Sequence, residues 1–185
     1  MRLYALCDQE LLDRANLSLN DFVSIAKKYG AEVIQYRNKT SDISFIKQQL
    51  IQLRQLFEGF LIVNDAFELS SFCDGVHIGQ EDLQKIDTDL KKAVKILKEV
   101  IGKDKLLGLS THNKDEILEA NELDLNYIGL GAYRSTSTKD VSHILGDELD
   151  KIAAFSKHPV AAIGGVSLDD KFKNVTYYVI GSGLL

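Results

Sequence analysis

Hydrophobic residues fall into short runs closed by polar clusters, and these runs alternate with segments whose apolar positions recur at helical spacing. The sharpest case is Phe60 to Leu83. Phe60-Leu61-Ile62-Val63 ends on Asn64-Asp65, and Gly75-Val76-His77-Ile78 is followed by Gln80-Glu81-Asp82, with a short helix predicted over Ala66–Phe72. An unbroken apolar run of this length suits a parallel strand covered on both faces. The same reading predicts strands over Arg2–Cys7, Glu32–Tyr36, Lys105–Leu109, Asn126–Leu130, Pro159–Ile163 and Thr176–Ile180. Helices are expected over Leu19–Tyr29, Ile43–Phe57, Leu90–Ile101, Asn113–Leu123 and Leu145–Phe155. Thr40-Ser41-Asp42 and Asp87-Thr88-Asp89 supply capping side chains, and Gly30 supplies a stop.

Strand–helix alternation implies parallel pairing through right-handed crossovers, and eight such units close into a (β/α)8 TIM barrel spanning residues 1–185 as one domain. A doubly wound open sheet is the alternative, but it needs fewer strands. At 185 residues the barrel is small, since such barrels typically have about 250. The shortage falls at the end: helix 7 is confined to Val166–Val175, and no helix 8 follows the last strand. Apolar strand surface between strands eight and one is therefore expected to lie bare, for a second subunit of a homodimer to cover.

Composition narrows the partners. A net charge of −5 with no basic run argues against nucleic acid, and no stretch is long and apolar enough to span a bilayer. The N-terminal run is too short for a signal peptide. Cys7 and Cys73 lack metal-ligand spacing and read as buried, reduced thiols in a cytoplasm.

In a barrel the C-terminal strand ends share one rim, and chemistry gathers there. Read in order, that rim carries Asp8; Gln35, Arg37 and Lys39; Asn64 and Asp65; Gln80 and Asp82; Ser110 and His112; Thr136, Thr138 and Lys139; Gly164-Gly165; and Gly181-Ser182. Three cations, Arg37, Lys39 and Lys139, face two carboxylates, Asp65 and Asp82, and two glycine-rich turns lie on the far side. Each piece has an ordinary alternative: solvated loop cations, Asp65 as a helix cap, Asp82 in an exposed turn, a plain glycine turn. One polyanionic substrate accounts for all of them together. Asp65 and Asp82 suit Mg2+, which takes one or two carboxylates plus phosphate oxygens and water, whereas no His/Cys cluster suggests zinc. A metal and three cations make a clamp for pyrophosphate, and the glycine turns make a second phosphate site. Two anionic substrates and a transfer with loss of pyrophosphate follow.

The segments LYALCD, QYRNK, LIVNDAFELS, DGVHIGQEDL, GLSTHN, YIGLGAYRSTSTK, PVAAIGGV and VIGSG, in this order, resemble the thiamine-phosphate synthase / thiazole tautomerase family. The resemblance implies a magnesium-dependent transferase that couples a hydroxymethylpyrimidine pyrophosphate to a thiazole phosphate, releasing thiamine phosphate and pyrophosphate. It implies magnesium at Asp65 and Asp82, with the pyrophosphate on Arg37, Lys39, Asn64 and Lys139. It puts Gln35 and Ser110 along the pyrimidine pocket and its pyrophosphate end, Thr136 and Thr138 at the thiazole, and Gly165, Ile180, Gly181 and Ser182 at its phosphate. Arg37, Lys39, Ser110 and Lys139 are the residues it implies in catalysis. In the family, ionisation at the pyrimidine methylene precedes attack by the thiazole nitrogen.

The chain departs from the family pattern at Ile180-Gly181-Ser182, where synthases commonly have Ser directly after Ile, and at Tyr133-Arg134-Ser135, which lacks proline. A tautomerase using His112 as acid/base, and a non-catalytic phosphate-binding barrel, are the rival readings. His77 is read as structural.

Overall fold

The computed structural model describes residues 2–135 and 144–185. Eight parallel strands close a barrel in sequence order: β1 (Arg2–Asp8), β2 (Ala31–Arg37), β3 (Phe60–Asn64), β4 (Gly75–Ile78), β5 (Leu106–Thr111), β6 (Tyr127–Leu130), β7 (Val160–Ala162) and β8 (Tyr177–Ile180). Closure is made by the pairing of β8 with β1, which sets Tyr178 beside Leu3 and Ile180 beside Ala5. The connecting helices are α1 (Gln9–Ala15), α2 (Leu19–Lys28), α3 (Ile43–Leu56), α4 (Gln80–Ile86), α5 (Leu90–Ile101), α6 (Lys114–Ala120) and α7 (Glu148–Ala153), with a 3-10 turn at Phe67–Phe72.

The continuous apolar runs become two buried layers because strand side chains alternate. Outward-facing Leu3, Ala5, Ile34, Leu61, Val63, Leu107 and Leu109 pack under the helices, and inward-facing Tyr4, Leu6, Val33, Ile62, Tyr127, Ala161 and Val179 fill the barrel. The interior is crowded enough to dictate glycine. A Cβ on Gly108 would lie 2.1 Å from the Tyr127 ring, and one on Gly129 would lie 3.0 Å from His77.

Three expectations are corrected. α1 and α4 are helices where the sequence suggests loop and polar cluster; each buries few residues, Leu11 and Leu12 in α1 and Leu83 in α4, too few for a visible period. Between β7 and β8 no helix forms at all; the connection is a turn anchored by Asp170, which accepts from the Ser167 N–H at 2.7 Å. The apolar surface of β8 and β1 is not bare. Leu12 of α1, Phe172 and Leu184 pack in one cluster with Leu3, Ala5, Tyr178 and Ile180, the last four all at 4% exposure or less. The reason for expecting a second subunit there disappears with the bare surface.

Candidate active site

Asp65 directly follows β3, and its N–H donates to the His77 carbonyl at 2.9 Å, which ties it to the end of β4. Its backbone is left-handed, with φ at 62°. Short polar side chains such as Asp tolerate that region, and such conformations concentrate at functional sites. The carboxylate does not cap the 3-10 turn that follows. It accepts from the Lys39 ammonium and from the Asn64 amide at 2.7 Å. Asp82 lies in the first turn of α4, just beyond β4, and accepts from Lys85 Nζ at 2.7 Å. Lys85 is pushed up, first by its hydrogen bond to Asp82 and to a smaller extent by the charge of Asp65. The two acids thus share one rim, and each carries a lysine that the sequence reading did not pair with it.

Arg37 ends β2 and donates to Asp8, which ends β1 directly opposite it. Asp8 is buried and also caps α1, accepting from the Leu11 N–H at 3.2 Å. The rim is therefore more evenly charged than three cations against two acids: among the described residues Arg37, Lys39 and Lys85 each hold a carboxylate.

Gln35 and Ser110 reach the rim from inside the barrel. Gln35 is buried, and its amide donates to the Tyr4 hydroxyl at 2.6 Å. Ser110 Oγ lies 2.9 Å from His77 Nε2, while Gln80 Nε2 donates to the Ser110 carbonyl at 2.9 Å. His77, read from the sequence as structural, thus touches a predicted site residue. Its position in β4, two residues before Gly79 at the start of α4, was the available signal.

On the opposite side of the mouth, Gly164 and Gly165 have φ of 86° and 65°. A Cβ on Gly164 would meet Ala132 at 2.6 Å and one on Gly165 would meet Arg134 at 2.7 Å, so the turn admits only glycine and follows the β6 loop closely. Arg134 locks the two loops: Nη1 donates to the Gly165 carbonyl at 2.8 Å, and the guanidinium forks onto Asp170 at 2.8 and 2.6 Å. Backbone N–H groups of such a turn are anion ligands. The Ile180 side chain points outward into the core beneath the helices, which leaves only its backbone for a phosphate; Gly181 and Ser182 follow it at the mouth. His112 is engaged with Glu116, Nδ1 to Oε2 at 3.0 Å, at the start of α6. Thr136, Thr138 and Lys139 lie outside the described residues.

The donors at Asp65 and Asp82 are all oxygen, and among the described residues no group of three or more His, Cys, Asp or Glu could hold a metal alone. That is the donor set of magnesium rather than of zinc: two carboxylates that need substrate and water oxygens to complete a shell.

The model of the family described as thiamine monophosphate synthase matches residues 3–176. The chain is 36% identical over 155 residues to a thiamine-phosphate synthase of Synechococcus sp., covering 80% of this chain but 42% of that relative's length. It is 32% identical over 190 residues to the thiamine-phosphate synthase of Clostridium acetobutylicum, covering 100% of this chain and 85% of the relative. Among solved structures it is similar to a thiamine phosphate pyrophosphorylase from Pyrococcus furiosus, with a TM-score of 0.77 at 27% identity over 98% of this chain and 85% of that one.

Proposed function

This chain belongs to the thiamine monophosphate synthase family, and on that premise we propose that it couples hydroxymethylpyrimidine pyrophosphate to a thiazole phosphate, yielding thiamine phosphate and pyrophosphate. The observation that carries the reading is the meeting, at one barrel mouth, of Asp65 and Asp82 with Arg37, Lys39 and Ser110, opposite the glycine turn Gly164-Gly165.

The bond that breaks joins the pyrimidine methylene to the pyrophosphate oxygen, which leaves with the electron pair. The bond that forms uses the lone pair of the thiazole nitrogen, so no base has to remove a proton. The protein's work is positioning and stabilising charge on the leaving group. Arg37, Lys39 and Lys139 meet that charge, with Asn64 donating beside them. Arg37 and Lys39 each give up part of a carboxylate contact to do so. Gln35 and Ser110 line the pyrimidine pocket and its pyrophosphate end. Gly165, with the backbone at Ile180, Gly181 and Ser182, receives the thiazole phosphate, and Thr136 and Thr138 face the thiazole. Mg2+ held by Asp65 and Asp82 would neutralise the pyrophosphate and make it a better leaving group. A cytoplasmic location belongs to the same proposal, consistent with two free, buried thiols.

His112 does not decide between synthase and tautomerase, because its contact with Glu116 engages Nδ1 and leaves Nε2 for acid/base work; the retained Asp65, Asp82, Arg37 and Lys39 are what favour the synthase. Purified protein mixed with both substrates and magnesium should form thiamine phosphate, and EDTA or Asp82→Ala should abolish it. Turnover that survives both treatments refutes the metal assignment. Binding without turnover identifies a non-catalytic barrel, and thiazole isomerisation without coupling identifies a tautomerase.

A further inference from the structure

A chain of polar side chains crosses the otherwise apolar barrel interior. Gln35 Nε2 donates to the Tyr4 hydroxyl at 2.6 Å, Tyr4 and Tyr127 hydroxyls are 2.9 Å apart, the Tyr127 hydroxyl is 3.1 Å from His77 Nδ1, and His77 Nε2 is 2.9 Å from Ser110 Oγ. The five residues come from β2, β1, β6, β4 and β5, and Tyr4, Gln35, His77 and Tyr127 are all at 7% exposure or less. Gly108 and Gly129 leave the room that the Tyr127 and His77 rings occupy, and those rings stack at 5.5 Å. Both ends of the chain are residues that the functional reading places against substrate.

Proton counting gives this chain a direction. An amide nitrogen only donates, so Tyr4 accepts from Gln35, and its own buried proton is satisfied by the Tyr127 hydroxyl 2.9 Å away. Tyr127 then gives its proton to His77 Nδ1, which must be bare. The imidazole proton sits on Nε2 and goes to Ser110, whose own hydroxyl proton is left to donate outward. Burial pushes both phenols far above their ordinary range, so neither loses its proton at any working pH. We propose that Gln35, Tyr4, Tyr127 and His77 form a one-way hydrogen-bond relay that fixes His77 as the Nε2–H tautomer and presents Ser110 as a hydroxyl donor to the anionic leaving group. His77 and Tyr127 are positioning residues: they touch no reacting atom and act through Ser110. Reversing the Gln35 amide would reverse every step and turn Ser110 toward His77, leaving an acceptor facing an anion.

The proposal rests on the synthase reading for the identity of the anion, but its first test does not need turnover. In substrate-free protein labelled with 15N-histidine, the His77 ring should show a bare Nδ1 and a protonated Nε2; the signal is assigned by elimination through His112→Gln, His143→Gln and His158→Gln. A protonated Nδ1 overturns the relay whether or not thiamine phosphate is formed. Absence of thiamine phosphate with the expected tautomer counts against the synthase reading alone. In the active enzyme, Tyr127→Phe should lower kcat about tenfold, a typical cost of about 1.4 kcal/mol for a lost positioning hydrogen bond, with KM for the pyrimidine pyrophosphate nearly unchanged. In a Ser110→Ala background it should have no further effect on kcat. Additive losses would mean that Tyr127 only supports the core, and would overturn the positioning role. Tyr4→Phe, which breaks the relay one step earlier, should repeat the pattern if Tyr127→Phe fails to fold.

Discussion

Lys39, beyond the end of β2, and Asp65, beyond the end of β3, form an ion pair across adjacent strands, and the aspartate makes it from a left-handed backbone. The conformation and the charge can be separated. Asn tolerates φ of 62° as well as Asp does, whereas Ala is strained there. Asp65→Asn should therefore leave urea stability within about 0.5 kcal/mol while abolishing magnesium-dependent turnover. Asp65→Ala should lose turnover and also about 1 kcal/mol of stability. An Asn variant that keeps full turnover would remove Asp65 from the metal.

Lys85 occupies an oxygen of Asp82 that a metal would need, but it is a largely exposed lysine. Exposed pairs are screened by solvent and hold their partners weakly. Lys85→Ala should accordingly lower the magnesium concentration for half-maximal thiamine phosphate formation by a factor of about 1.5 to 5. A magnesium titration of both proteins reads this directly, and a rise instead of a fall would show that Lys85 assists the anion.

Asp170 accepts from Arg134 and from the Ser167 N–H, and the Arg134 hydrogen bond foremost holds its carboxyl below the usual range. A depressed carboxyl stabilises the fold above its unfolded value of about 3.9 and loses that contribution as pH falls through the lower folded value. With Arg134 half exposed, the loss on Asp170→Asn should be about 1 kcal/mol near neutrality. The gap between the variant and the parent should close as pH falls below the ordinary carboxylate range, through the lowered folded value. Denaturant unfolding across pH checks both the size and the sign, and the thiazole phosphate KM should rise in the variant as the turn at Gly165 loosens.

Gly108→Ala would place a methyl 2.1 Å from the Tyr127 ring inside the barrel. Overpacking of this kind costs about 1–3 kcal/mol, which in a domain of this size lowers Tm by about 2–4 °C per kcal/mol. Calorimetry on the variant should show that drop. Gly146→Ala, where no atom of the described residues lies within 4 Å of the added Cβ, should show the cost of its positive φ.

The apolar runs by themselves determined eight strands and the barrel, because a strand buried on both faces must be apolar throughout and must end where water begins. Among the described residues they also marked the polar residues at the strand ends, since each run is closed by its own cluster. The order of the chain could not reveal who meets whom there. Arg37 finds Asp8, His77 finds Ser110, and Tyr4 finds Tyr127 over separations of 29, 33 and 123 residues. Such pairings depend on strand register and on the room left by Gly108 and Gly129, and local patterning carries neither. α1 was hidden for a related reason: Leu12 is buried in the cluster that holds Leu3, Ala5 and Ile180, and Leu11 lies near Gly181 just past β8, an environment that exists only once the barrel has closed.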